Sequence, residues 1–122
     1  MANFPEFMLR ALYVKGSLVN NEDGFEFQIR NDLGPVRVVG AGPLLLDRKP
    51  LPLDNCRFAL GDTTAGFADV SIENSVLMHK GEALVVKVDG TSLRPGRRAL
   101  GINVTVKDIG QIRFTVSDTV SA

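Results

Sequence analysis

Leu100-Gly101-Ile102-Asn103-Val104-Thr105-Val106 alternates apolar with small or polar residues, and beyond Asp108-Ile109-Gly110 the rhythm resumes in Ile112-Arg113-Phe114-Thr115-Val116. A period of two places every apolar residue of a run on one face of an extended strand. Two such runs joined by a short segment ending in glycine predict a β-hairpin. One face carries Ile102, Val104, Ile112 and Phe114 and the other Asn103, Thr105, Arg113 and Thr115, so the hairpin belongs to a sheet with one face to bury.

Upstream the pattern recurs. Phe25, Phe27 and Ile29 alternate with Glu26, Gln28 and Arg30, and before them Leu12, Val14 and Leu18 alternate with Tyr13, Lys15 and Ser17. Between the two runs, Asn20-Asn21-Glu22-Asp23-Gly24 offers side chains that bond their own backbone and a residue tolerant of positive φ, which predicts a second hairpin. Leu84, Val86 and Val88 make a further strand closed by Asp89-Gly90, and Cys56, Phe58 and Leu60 another. Val36 to Leu46 is apolar but broken by Gly40, Gly42 and Pro43, predicting two strand pieces with a bend or bulge between them. Pro50 and Pro52 fix a short extended crossing. Gly61 to Gly66 reads as a loop, and Phe67 to Ile72 carries no decisive pattern. Apolar spacing of three and four residues is missing throughout, so any helix is confined to a single turn. About seven to nine short strands, with no helices to cover a parallel sheet, predict an all-β fold: an antiparallel two-sheet β-sandwich, immunoglobulin-like or jelly-roll-like. Residues 1–122 are expected to form one domain, with 1–8 as an N-terminal arm.

Composition narrows the function classes. The chain has 122 residues, of which 44% are hydrophobic and 23% charged, proportions of a globular protein. Lys+Arg and Asp+Glu are both 14, so the formal charge is zero. That speaks against a nucleic-acid partner, which draws a basic excess, and leaves self-association into a homo-oligomer unopposed by charge. Cys56 is the one cysteine, so no intrachain disulfide and no multi-cysteine metal site can form. Met1 to Phe7 lacks the basic start and apolar run of a secretion signal, and nothing approaches the roughly 18 apolar residues of a membrane span. The expectation is a cytoplasmic protein that does not use a membrane, a metal or a cofactor.

Few residues invite chemistry. His79 is the one histidine and could act as acid or base near neutral pH, but it has no evident nucleophile beside it. Asn20 to Asp23 and Asp62-Thr63-Thr64 have oxygen ligands without the alternating spacing of a calcium loop, so turn chemistry accounts for them better. Arg94, Arg97 and Arg98 flank Pro95-Gly96 as a positive patch able to hold a phosphate or carboxylate. His79, Arg94 and Arg98 are the candidate ligand-binding residues. Cys56 falls in register with Phe58 and Leu60 and reads as core. Phe4, Phe7, Met8 and Leu9 show no alternation, and either fold back on the sandwich or meet another chain. Phe4, Phe7 and Met8, with the irregular Val36–Leu46 stretch, are the candidate partner surface.

Leu93-Arg94-Pro95-Gly96 leading into Leu100-x-Ile102-x-Val104 is similar to the Leu-x-Pro-Gly turn of many immunoglobulin-like sandwiches, although Arg98 stands where those often carry Tyr or His. A longer register resembles the small β-subunit family of bacterial C-glycoside deglycosidases. It consists of Gly16-Ser17-Leu18-x-Asn20, Asp23-Gly24-Phe25-x-Phe27-x-Ile29-Arg30, Pro43-Leu44-x-Leu46-Asp47 with Pro52, Phe58-x-Leu60-Gly61 and the Leu93 turn, and spans roughly residues 9–118. The resemblance implies a non-catalytic β-sandwich subunit, paired with a metal-bearing TIM-barrel α subunit in a complex that cleaves a carbon–carbon bond between sugar and aglycone. It transfers no catalytic residue. Two other readings stand beside it. One is a stand-alone ligand or carbohydrate-binding module, disfavoured by the lack of Trp and the single Tyr13. The other is a small enzyme pairing His79 with Glu22 or Asp23.

Overall fold

The computed structural model describes residues 4–120 of the chain. Met1 to Asn3, the first part of the expected arm, lie outside them. After the single-turn helix α1 (Glu6–Arg10) come the strands β1 (Val19–Asn20), β2 (Gly24–Arg30), β3 (Val36–Ala41), β4 (Leu45–Leu46) and β5 (Lys49–Pro50). A 3-10 turn at Leu53–Asn55 leads to β6 (Cys56–Leu60) and β7 (Thr63–Gly66), and a second at Phe67–Asp69 leads to β8 (Val76–Met78). The chain ends in β9 (Ala83–Asp89), β10 (Gly96–Val106) and β11 (Gly110–Val120).

These strands form two antiparallel sheets, the expected all-β sandwich. The first runs β1-β2-β9-β6-β7, and the second β5-β4-β10-β3-β8, with β11 paired to β10 along its other edge. The long hairpin holds Val104 opposite Ile112 and Ile102 opposite Phe114, as alternation requires. Phe25, Phe27, Cys56, Val88 and Leu100 form the densest part of the interior, each no more than 1% exposed. Gly24 belongs to this packing by necessity, because a Cβ there would run into the Val88 carbonyl.

Two expectations need correction, and one open stretch is settled. The Leu12–Leu18 run is not one strand: Tyr13 bridges Ile29, but the chain turns at Gly16 before β1 resumes pairing with β2. Gly61 to Gly66 is not simply a loop, because Thr63–Gly66 pairs antiparallel with β6 as an edge strand. Edge strands need no alternating apolar face, so composition could not reveal it. Phe67 to Ile72 opens with a 3-10 turn that drops Phe67 into the core rather than with a strand.

Candidate functional site

The apolar interior is not uniform along the sandwich. β2 and β9 pair Phe25 with Val88, Phe27 with Val86 and Ile29 with Leu84. The first two pairs are buried; Ile29 and Leu84 are half-exposed although they point inward. The facing sheet changes in step, since Leu100 is fully buried while Ile102 and Val104 are only partly covered. At this end the two sheets leave a cavity of about 120 Å³ between them.

Strand β3 shows how the sequence builds its wall. Ala41 lies opposite Val104 and Gly40 opposite Thr105, but Val38 lies opposite Val106, so the register shifts by one residue. The extra residue, Val39, makes a β-bulge, which re-aims the side chains before it. Val36, Val38 and Ala41 can therefore all line the cavity despite their mixed parity. This is the bend expected between Val36 and Leu46, resolved into a specific function of the strand. Phe58 and Phe67 close the floor as a tilted aromatic pair, ring centroids 6.4 Å apart.

At the mouth stands Asn31, buried to 4% exposure and the one buried polar side chain among the described residues. Its Nδ2 donates to the carbonyls of Gly34 (2.8 Å), Met78 (3.2 Å) and His79 (3.3 Å), and its Oδ1 accepts from the Leu33 amide (3.1 Å). Its own amide donates to the Glu82 carbonyl, and its carbonyl accepts from the Gly81 amide. Asn31 thus ties the end of β2 to the loop before β3 and to the turn before β9. Its amide nitrogen is committed to backbone carbonyls and its oxygen accepts from the Leu33 amide, so the group serves the fold.

The candidate residues do not converge here. His79 is exposed in the Met78–Glu82 turn, its amide donating to Glu82 Oε1 at 2.6 Å. Asp23 and Glu22 lie beyond the other end of β2, about 20 Å away for seven residues at strand rise, so neither can pair with His79. Arg94 also lies at that far end, because Asn20 clasps the neighbouring Leu93 through both its amide and its carbonyl (2.8 and 2.9 Å). Arg98 is engaged by Asp47 at 2.7 Å. The Ala99 amide, and then Arg98, hold the Asp47 carboxyl below the usual carboxylate range. Asn21 Oδ1 accepts from the amides of Asp23 and Gly24, the turn bonding expected of that cluster. No group of three metal-ligating side chains forms among the described residues. In the N-terminal segment Leu9 is buried and Phe4 packs against the core, while Phe7 is 70% and Met8 39% exposed.

One polar contact was invisible to sequence reasoning. Tyr13 Oη donates to Asp118 Oδ2 at 2.6 Å across 105 residues, and the Gly16 amide donates to the same oxygen at 2.9 Å. Burial first, and the Asp118 bond second, push the Tyr13 phenol well above its ordinary value. Burial alone would raise Asp118, but bonds from Tyr13 and from the Thr119 and Gly16 amides outweigh it and hold the carboxyl low. Cys56 accepts no functional role from its setting: burial pushes its thiol up, away from the reactive thiolate.

What these features define is a β-sandwich with a one-ended apolar cleft and its polar groups committed to structure. Residues 8–121 match the family described as hydroxymethylglutaryl-CoA reductase, N-terminal domain, and the chain belongs to that family. Among curated proteins none matches its sequence. The family assignment overturns the resemblance to C-glycoside deglycosidase β subunits, and so removes the ground on which a TIM-barrel α subunit and carbon–carbon cleavage were implied. The reason is visible in the fold. The residues that carried the resemblance are turn-formers such as Gly16 (φ 84°) and close-contact residues such as Gly24, which any chain with these turns would need. No helix among the described residues is long and apolar enough to cross a membrane.

Proposed function

We propose that this chain acts as the N-terminal domain of a hydroxymethylglutaryl-CoA reductase, a binding element beside the reducing centre rather than its seat. The observation that carries the reading is the family match over residues 8–121, which takes in every strand of both sheets. The side-chain chemistry agrees with it. The Asp118 carboxylate is held by Tyr13, Asp47 by Arg98, and the buried Cys56 thiol is kept protonated, so none of them is poised for proton transfer. A lone buried thiol also suits a reducing compartment, and we place the protein in the cytoplasm. The partner on this reading is the catalytic part of the reductase; self-association of the chain is compatible with it.

The test is to mix the purified chain with the reductase catalytic domain from the same cell, and to follow both co-elution and hydroxymethylglutaryl-CoA turnover. A joint species is expected, with kcat/KM changed at least threefold over the catalytic domain alone. Separate elution with unchanged turnover, or turnover by this chain alone, would refute the reading.

A further inference from the structure

We propose that the cleft between the sheets is a binding site for the end of a short, neutral aliphatic chain carried by a small molecule. The cleft is walled from both sheets, by Ile29 and Leu84 on one and by Val36, Val38, Ala41 and Val104 on the other. Among the described residues no charged side chain lines it. Its two asparagines add no recognition: the Asn31 amide is spent on backbone carbonyls, and Asn103 Oδ1 accepts from Gln111 on the outer face of β10. A group inside the cleft therefore meets only hydrocarbon, while any polar head must stay in water at the half-exposed rim of Leu33 and Val70.

Size selects the occupant. The cavity of about 120 Å³ is slightly smaller than an engineered apolar cavity of ~150 Å³ that stays dry and binds benzene, so it takes about five or six carbons. A helix or strand of a protein partner cannot enter a space of that volume, whereas an alkyl end can. The bulge at Val39 supports a built site rather than a packing fault, because it turns Val36 and Val38 inward as well as Ala41.

The experiment uses the full chain with 1-hexanol as probe, followed in methyl-resolved NMR spectra, and needs no reductase, so its outcome is independent of the function proposed above. Saturable shifts are expected at the methyls of Val36, Val38, Leu84 and Val104. Val104→Phe, which fills the cleft, should weaken binding at least tenfold, while Thr119→Val on the outer face leaves it unchanged. Ala41→Leu fills the same wall with a smaller addition and replaces Val104→Phe if that variant does not fold. The proposal is overturned by a wild-type chain with no saturable shift, by shifts centred on the exposed Met8 methyl instead, or by a folded filling variant that binds as tightly as wild type.

Discussion

Removing one hydroxyl, in Tyr13→Phe, tests how the N-terminal segment is fastened to β11. The phenol is 8% exposed and donates at 2.6 Å to a carboxylate that is ionised at neutral pH. Hydrogen bonds to charged groups contribute about 1.5–3 kcal/mol. The Gly16 and Thr119 amides remain on Asp118 in the variant, so the carboxylate is not orphaned and the lower part of that range applies, about 1.5–2 kcal/mol. At roughly 4 °C per kcal/mol for a domain of this size, the melting temperature should fall by about 6–8 °C at pH 7. The pH dependence carries the diagnosis. Because the folded-state pKa of Asp118 is depressed, its stabilisation is fully present above the ordinary value of 3.8 and fades as pH falls through the lower folded value. The penalty of Tyr13→Phe, from urea unfolding at pH 7, 5 and 3, should be constant between the first two and shrink at the third. Tyr13 adds an internal control as the single tyrosine of a chain without Trp, so absorbance at 295 nm reports it alone. Its raised pKa means that tyrosinate should be absent from the folded protein at pH 10, where an unfolded tyrosine is half ionised. Equal penalties at pH 7 and pH 3, or free titration of the phenol near pH 10 in the folded state, would sink the reasoning.

The uneven interior predicts unequal costs for one chemical change. Leu100→Ala, at a fully buried site, should cost about 3–4 kcal/mol, whereas Leu84→Ala on the cleft wall should cost only about 1–1.5 kcal/mol; equal costs in denaturant unfolding would contradict the cleft. Asn31→Ala strands the Leu33 amide and three carbonyls, and should cost about 2–3 kcal/mol, with faster amide exchange at Leu33 and Gly81 as its local sign. Asp47 and Arg48 form the β4–β5 turn with φ of 50° and 74°, a region that glycine occupies without strain. Arg48→Gly should therefore raise stability by roughly 0.5 kcal/mol, seen as a higher denaturation midpoint at unchanged slope.

How much of this was legible beforehand depended on whether the information was local. The β10–β11 hairpin is written in the alternation of Leu100 to Val116, because each residue's facing is set by its own parity. β9 and β6 were readable for the same reason. The short pieces β4, β5 and β8, with two or three residues each, are too brief to show a period; β4 and β8 pair with the longer β10 and β3, and β5 pairs with β4 across their tight turn. The cleft was hidden for a different reason. Val36 and Val38 share one parity and Ala41 the other, so period-two reading assigns them opposite faces; only the pairing of Val38 with Val106 shows that Val39 is bulged. Asn31 carries no local signal of its role, since its carbonyl partners at Met78 and His79 lie 47 and 48 residues away.

Two apolar walls tend to close on each other, so the separation of these two needs a cause. The two walls belong to different sheets, and each is fixed by its own ladder: Ile29 and Leu84 by the β2–β9 pairing, Val104 by β11 on one side and β3 on the other. Bringing the walls together would bend both ladders and strain their hydrogen bonds, a cost that small aliphatic contacts recover poorly. The other end avoids the problem because Phe25 and Phe27 are long enough to span the gap, whereas Val36, Val38, Ala41 and Val104 are not. Asn31 removes the remaining escape, in which the loop carrying Leu33 folds inward as a plug, by tying that loop to the Met78–Glu82 turn. Side-chain length opens the cleft, and one buried amide keeps it open.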